Sequence, residues 1–154
     1  MEILTNPTAQ KLLQSFLLFG KADWHQATIA GCKPSEIRVL FCIKRNSQPD
    51  TSEIKVSEIS KLLHVTSPTI TQLLKGLEAK GLIKRTIDTA DRRAVCLTLT
   101  KNGEMVIEQA AAALSTSMNG LIAYLGEEQS DQLAALLSKV FYYYNDKIAH
   151  IDRS

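Results

Sequence analysis

Apolar residues recur every three or four positions in several stretches of the chain, which predicts a mainly helical protein. The clearest case is a helix expected between Ser67 and Gly81, because four apolar residues gather within about 100° on one of its sides. These residues are Ile70, Leu73, Leu74 and Leu77. We expect this side to pack against the core, and Gly81 is the residue expected just beyond the end of the helix.

The opposite side of this helix is small, polar and almost uncharged. It carries Pro68, Gln72, Lys75 and Ala79, with Thr71 and Gly76 beside them. A solvated face usually carries more Glu and Lys, whereas hydroxyl, amide and amine donors with little bulk suit a face that touches base edges. A shorter helix is expected just before it, over residues 57–63, so the pair predicts a helix-turn-helix. We therefore predict that the second helix enters the major groove of DNA, and the alternative is a surface helix with no partner.

A two-stranded hairpin is expected after this helix. The segment 82–87 is β-branched and apolar, and apolar residues alternate with polar ones over residues 94–100. The turn between the strands carries Arg92 and Arg93, and an arginine at a hairpin tip fits the narrow minor groove, where the negative potential is strongest. The alternative is an Asp–Arg pair that stiffens the turn, and we expect one of the two arginines to form such a pair. Residues 54–56 are expected to add a third short strand.

Taken together, these segments resemble the MarR family of winged-helix regulators in order and spacing. The resemblance rests on the runs Val56-Ser57-Glu58-Ile59, Ser67-Pro68-Thr69-Ile70-Thr71, Leu77-Glu78-Ala79-Lys80-Gly81-Leu82-Ile83, Asp91-Arg92-Arg93 and Leu97-Thr98-Leu99-Thr100-Lys101-Asn102-Gly103. Its most specific part is the Asp-x-Arg wing followed by Leu-Thr-x-x-Gly. Over the single chain 1–154, it implies a mainly α fold with a small β-wing. A winged helix-turn-helix lobe then covers residues 34–100, and dimerisation helices cover residues 6–30 and 101–150.

The function implied by the resemblance is a bacterial, cytoplasmic, sequence-specific transcription regulator that represses genes by binding a palindromic operator. On this interpretation Ser67 lies near a phosphate at the helix N-terminus, and Arg93 enters the minor groove while Arg92 holds phosphate or exchanges roles with it. The major-groove residues are Thr69, Thr71, Gln72 and Lys75. The residues expected to contact the DNA backbone are Lys55, Lys84 and Arg85.

Two positions depart from the family pattern. Many relatives have Arg where this chain has Gln72, so a bidentate contact to guanine is absent there and adenine recognition is favoured. The helix that begins near Pro34 usually has a Thr cap in the family, whereas Lys33 occupies that position here.

Long amphipathic helices at both ends of the chain indicate self-association. The first is expected to begin at Asn6-Pro7 and to run to about Ala30, where Gly31 ends it. Because the winged-helix lobe has its own core, these helices need another surface, and a twofold pair buries the apolar stripes of both chains. A homodimer would place two recognition helices roughly 34 Å apart, one turn of duplex. The alternative is a monomer whose terminal helices fold back as a bundle.

The charge distribution favours nucleic acid as a partner. Residues 55–101 hold nine Lys and Arg against four Asp and Glu, whereas residues 102–154 hold three against seven. The basic block coincides with the helix-turn-helix and wing, as phosphate binding requires. The alternative function, a winged-helix protein-interaction module without specific DNA binding, does not explain this block. No apolar run approaches the ~18 residues of a membrane span, and the N-terminus does not resemble a signal peptide.

No motif indicates an enzyme, so we expect no catalytic residue, metal site or cofactor. The histidines, His25, His64 and His150, lack acidic or nucleophilic neighbours at a recognisable spacing. The three cysteines, Cys32, Cys42 and Cys96, show neither a disulfide pattern nor a zinc spacing.

The resemblance also implies a pocket for a small aromatic or hydrophobic effector between the dimer helices and the DNA-binding lobe. The candidate residues are Phe16, Phe19, Trp24, His25 and Phe41, and the alternative is that they are plain core. Some members of the family sense oxidation through a cysteine in the first helix, which this chain lacks. Cys32 has a basic sequence neighbour that could lower its pKa, and inert buried thiols are the expected alternative for all three cysteines.

Overall fold

The computed structural model describes residues 5–23, 28–88 and 90–151, the last five by their backbone alone. Its helices and strands confirm the predicted mainly helical fold with a small β-wing. In chain order they are α1 (Pro7–Gly20), α2 (Pro34–Asn46), β1 (Ile54–Lys55), α3 (Val56–Leu63), α4 (Ser67–Ala79), β2 (Ile83–Ile87), β3 (Val95–Leu99), α5 (Lys101–Leu125) and α6 (Glu127–Ile151).

The chain divides into two compact units, Met1–Ala110 and Ala111–Ser154. The first contains the helix-turn-helix, the sheet and the start of α5, and the second contains the rest of α5 and all of α6. Helix α1, assigned to the dimerisation region from the sequence, falls within the first unit, and none of its residues is buried there.

The sheet has three antiparallel strands in the order β1-β3-β2, so the last strand lies between the other two. Ile54 of β1 lies opposite Leu97, and Ile83 of β2 lies opposite Leu99. The expected third strand is therefore present, although it ends at Lys55 because Val56 already begins α3. Strands β2 and β3 form the wing.

The core of the first unit is built by one buried face from each surrounding element. Its fully buried large side chains are Val39, Leu40, Ile43, Ile59, Ile70, Leu74, Leu77 and Leu97. Three of the four residues predicted to face inward on α4 belong to this set, and Leu73 is half-buried against it. The predicted inner face of the helix is confirmed.

Helix α1 begins as expected but ends much earlier. The Asn6 side chain accepts hydrogen bonds from the N–H groups of Thr8 and Ala9, as an N-cap does. The helix ends at Gly20, a residue of low helix propensity, so the expected end at Ala30 is wrong. Ala30 and Gly31 have φ of 51° and 76°, which no α-helix accommodates.

The start of α2 has no cap from Lys33, and the first turn is held in another way. The Glu36 carboxylate reaches back and accepts a hydrogen bond from the Lys33 N–H at 3.0 Å. The Glu36 side chain, three residues into the helix, therefore satisfies the N–H of the N-cap residue itself. A Thr side chain at the cap position would not bond to that group.

Helix α4 ends in the two hydrogen bonds of a Schellman motif. The Gly81 N–H donates to the Glu78 carbonyl at 2.9 Å, and the Leu82 N–H donates to the Leu77 carbonyl at 3.0 Å. Gly81 has φ of +71°, which suits glycine, so its predicted role is confirmed. This end turns the chain directly into β2 and fixes where the wing begins.

Gly103 near the start of α5 allows this helix to approach the backbone at Leu82 closely. A Cβ at this position would clash with the Leu82 carbonyl oxygen. The Thr100 hydroxyl donates to the Gly81 carbonyl at 2.6 Å and accepts from the Gly103 N–H at 3.1 Å. These bonds hold the start of α5 against the junction between α4 and β2.

We expect Gly103→Ala to lower the free energy of unfolding by about 2–4 kcal/mol, because the new methyl group meets backbone that cannot yield. The matched control is Gly120→Ala in the same helix, where a Cβ would meet no atom within 4 Å. That change should raise stability by about 0.5–1 kcal/mol, since it removes a glycine from a helix interior. Urea denaturation at one protein concentration measures both, and equal stabilities would contradict the expectation.

Candidate nucleic-acid interface

The outward side of α4 is exposed, as predicted. Pro68, Gln72, Lys75 and Ala79 follow one another at intervals of three and four residues, so they lie on one stripe of the helix. Within the described chain, the Gln72 amide and the Lys75 ammonium have no protein hydrogen-bond partner. Both groups are therefore available to an external acceptor.

The threonine hydroxyls beside this stripe are already bonded within the protein. The Thr71 hydroxyl donates to the Ser67 carbonyl at 2.8 Å, and the Thr66 and Thr69 hydroxyls lie 2.9 Å apart. Thr71 therefore presents its methyl group and an acceptor oxygen rather than a free donor. This distinction is not visible in the sequence.

The N-terminus of α4 is left without a side-chain cap. Thr66 occupies the N-cap position but its side chain forms no capping bond, and Ser67 is already the first helical residue. The Ser67 and Thr69 N–H groups have no acceptor among the described residues, while Pro68 has no N–H. Unbonded amides at a helix N-terminus attract anions. Thr66 was not singled out from the sequence, although a Thr directly before Ser-Pro is a typical N-cap signal.

A short turn joins α3 to α4 and brings α4 to the surface. Helix α3 ends at Leu63, and His64 adopts the left-handed conformation with φ of 52°. Val65 is half-buried against the core and anchors the turn. The arrangement is the predicted helix-turn-helix, with α4 as its second helix.

The wing turn is held by carboxylates that bond to the backbone. The Asp91 carboxylate accepts from the Arg93 N–H at 3.0 Å, and the Asp88 carboxylate accepts from the Ala90 N–H at 2.9 Å. In the part of the chain that the structure describes, neither Arg92 nor Arg93 forms a guanidinium–carboxylate ion pair. The alternative in which an Asp91–Arg pair stiffens the turn is therefore wrong, since Asp91 does so through the backbone. Both arginine side chains are exposed.

The three residues predicted to contact the DNA backbone differ in their surroundings. Lys84 and Arg85 are adjacent on β2, so their side chains point to opposite sides of the strand. The Arg85 Nε lies 2.7 Å from Glu78 Oε1, so this guanidinium is already paired with an acid. Lys55 lies on β1, across β3 from the other two.

Most of the basic block is left unpaired. Of its nine Lys and Arg, seven have no acidic partner within 4 Å among the described residues. These are Lys55, Lys61, Lys75, Lys84, Arg92, Arg93 and Lys101. Lys61 is exposed near the end of α3 and was not singled out from the sequence. The sequence feature that could have identified it is a single lysine on the polar side of that helix.

The predicted effector residues are only partly described. Phe16 and Phe19 are exposed on α1, Phe41 is half-buried on α2, and Trp24 and His25 lie outside the described residues. An open cavity of about 420 Å³ lies between α2 and α3, and Phe41 is the one described candidate that lines it. Its other lining residues are Arg38, Cys42, Arg45, Asn46, Leu62 and Leu63.

All three cysteines are buried and free. Burial raises the pKa of each thiol, and at Cys32 it outweighs the opposing effect of the Lys80 charge. The expectation that a basic neighbour lowers the pKa of Cys32 is therefore wrong, because burial dominates. The alternative of inert core thiols fits the structure.

The described residues show neither a cluster of metal ligands nor a helix suited to cross a membrane. They contain no group of three His, Cys, Asp or Glu residues that could hold a metal ion. None of their helices combines the length and apolar character that crossing a membrane requires.

Comparison with known proteins gives consistent matches. The MarR family model matches residues 33–95. The chain is 33% identical over 110 residues to the HTH-type transcriptional repressor MdtR of Bacillus subtilis, a match that covers 71% of this chain and 68% of that protein. The structure is similar to S. aureus MepR in a DNA complex, with 26% identity, 91% and 99% of the two chains covered, and a TM-score of 0.66. Streptococcus pneumoniae FabT, solved in complex with DNA, has the same fold, with 23% identity, 90% and 94% coverage, and a TM-score of 0.66.

We expect the thiols to react slowly in the native protein, because a raised pKa leaves little thiolate at neutral pH. Alkylation by iodoacetamide at pH 7.5, followed by mass spectrometry, should be at least about tenfold slower at Cys32 in the native chain than in the same chain unfolded in urea. Rapid native labelling of Cys32 would contradict the burial and reopen oxidation sensing.

Proposed function

The chain belongs to the MarR family of DNA-binding transcriptional regulators, and we propose that it acts as a repressor that binds a near-palindromic operator as a homodimer. The observation that carries this proposal is the outward stripe of α4, where Gln72 and Lys75 are unpaired beside an uncapped helix N-terminus. A regulator of this kind acts where the chromosome is, which in a bacterium is the cytoplasm. The family is not an enzyme class, and we assign no catalytic residue.

In the proposed complex α4 lies in the major groove. Gln72 reads adenine through its amide, and Lys75 donates to a base edge or nearby phosphate. Thr71 presents its methyl group, which suits the thymine methyl, because its hydroxyl is bonded to the Ser67 carbonyl. Ser67 and Thr69 contribute backbone N–H groups to a phosphate at the helix N-terminus.

The wing supplies the second set of contacts. Arg93 enters the minor groove and Arg92 holds a phosphate, both on a turn that Asp91 keeps in shape. Lys84 and Lys55 contact the backbone as point charges. Arg85 is already paired with Glu78 and must break or share this ion pair before it can bind a phosphate. We therefore expect Arg85 to contribute less to DNA affinity than Lys84.

The homodimer is supported by apolar side chains that each unit leaves uncovered. On α1 these are Leu12, Leu13, Phe16, Leu17, Leu18 and Phe19, and on α6 they include Leu133, Leu136, Leu137 and Phe141. Large apolar side chains exposed together on one helix are typical of an interaction site, and a twofold pair is the commonest way to cover them. The pair would present two recognition helices roughly 34 Å apart.

We also propose that a small aromatic or hydrophobic effector releases the DNA by favouring a dimer conformation in which the two helices no longer match the duplex. Phe16, Phe19, Trp24, His25 and Phe41 remain the proposed contacts. Phe41 lines the cavity between α2 and α3, which lies within the predicted winged-helix lobe.

The test is selection of bound duplexes from a random pool at near-physiological salt, run with the native sequence and with Arg93→Ala. We expect a palindrome to be enriched, and Arg93→Ala to bind it about tenfold more weakly, mainly through its A·T-rich flanks. Arg38→Ala is the matched control, because it removes the same exposed charge from α2. If no sequence is enriched and binding vanishes as salt rises, the protein-interaction module replaces the regulator as the better interpretation.

A further inference from the structure

Glu36 is the buried charged residue among those that the structure describes, with only 5% of its surface exposed. Its carboxylate oxygens lie 2.7 and 2.9 Å from the Lys80 ammonium. The same ammonium donates to the Gly31 carbonyl at 2.9 Å. Lys80 is the C-cap residue of α4, so one side chain joins the end of α4 to the start of α2 and to the segment before it.

The segment that receives Lys80 is a tight turn of defined shape. Ile29 and Cys32 exchange two backbone hydrogen bonds of 3.1 and 2.9 Å. The two residues between them, Ala30 and Gly31, both have positive φ, as in a type I′ turn. Cys32 is fully buried and anchors the turn in the core. The Gly31 carbonyl is therefore held in one position.

Helix α4 is shaped to accept the carboxylate. Gly76 lies one turn before Lys80, and a Cβ at Gly76 would lie 3.2 Å from Glu36 Oε2. A glycine at this position lets the carboxylate approach the helix closely. The pair also differs from the other lysine pair of this unit, Lys44–Glu104, whose side chains are 52% and 41% exposed.

The protonation state of Glu36 agrees with this geometry. Burial by itself would raise the pKa of Glu36, but the hydrogen bonds from Lys80 and the Lys33 N–H, together with the positive charges of both lysines, lower it by more. The carboxylate is thus ionised at neutral pH. The Lys80 side chain is 37% exposed while that of Glu36 is buried, so the ion pair is only partly buried and adds little net stability by itself.

We propose that Lys80 is a positioning residue for DNA binding, which ties the end of α4 to the turn of residues 29–32 through Glu36 and the Gly31 carbonyl. The turn lies directly before α2, so a shift of the turn relative to α4 changes the fit of the outward stripe of α4 to the major groove. The tie itself stands on the contacts above. Its consequence for DNA rests on the proposed function.

The test removes the tie without leaving a buried charge. Lys80→Met alone would leave the buried Glu36 carboxylate without its ion-pair partner and could unfold the unit. The main variant is therefore the double change Glu36→Gln with Lys80→Met, which keeps the net charge. Its matched control is Glu104→Gln with Lys44→Met, which removes an exposed pair from the same unit with the same change in composition. Lys80→Arg is the conservative variant.

The first readout is affinity for the selected operator over a range of salt. We expect the main double variant to bind about tenfold more weakly, the control and Lys80→Arg to bind within about threefold of the native chain, and the salt slope to stay unchanged. Lys84→Ala, which removes a phosphate contact, should instead lower that slope by about 0.9. Native affinity in the main double variant would overturn the proposal, and so would a slope that falls as in Lys84→Ala.

The second readout is amide hydrogen exchange without DNA. We expect exchange to accelerate at least about fivefold both in the turn of residues 29–32 and at residues 80–82 of the main double variant, and in neither segment of the control. Unchanged exchange in both segments would show that the tie does not hold them together. If the native chain selects no operator, the proposed function fails, while this readout still decides whether the tie exists.

Discussion

Packing of Ile70, Leu74 and Leu77 into the core fixes which side of α4 is left for DNA. Each of these side chains is at most 2% exposed, and truncation of a buried leucine or isoleucine typically costs about 2–5 kcal/mol. Rotation of the helix about its axis would expose them, so Gln72 and Lys75 are directed outward by default. The Schellman end at Gly81 then places β2, and Gly103 allows α5 to pack against the same junction. The orientation of the stripe and the position of the wing thus depend on one packed helix.

The basic block divides into residues that hold the protein together and residues left for a partner. Lys80 and Arg85 are paired with Glu36 and Glu78, at 2.7 Å in each case. The remaining members keep their charge free, and those on α4 and in the wing lie where a duplex would contact a winged helix. A count of charges along the sequence overstates the number available to phosphate, because two of the nine are paired within the protein. The proposed roles follow the same division, in which Lys80 positions α4 and Lys84 contacts a phosphate.

Local patterns in the sequence predicted those features that depend on local physics. Periodicity gave the inner face of α4 because burial follows helical spacing, and Gly81 marked its end because few other residues adopt positive φ easily. The end of α1 at Gly20 was missed because apolar residues continue at helical spacing beyond it, although glycine has low helix propensity. Whether Lys33 lowers the pKa of Cys32 could not be decided from the sequence, because the burial that raises this pKa depends on the fold. The pairing of Glu36 with Lys80 joins residues 44 positions apart, and no periodic pattern reports such a contact.

The most direct test of the claim that α4 reads DNA is a change of base preference at Gln72. Duplex selection with the native chain should enrich adenine at one position of each half-site. Gln72→Arg should change that position to guanine and leave the rest of the site unaltered, because arginine bonds to guanine as glutamine bonds to adenine. Gln109→Arg adds the same charge on α5 and should leave the selected site unchanged. An identical site for Gln72→Arg and the native chain would contradict base recognition by this face.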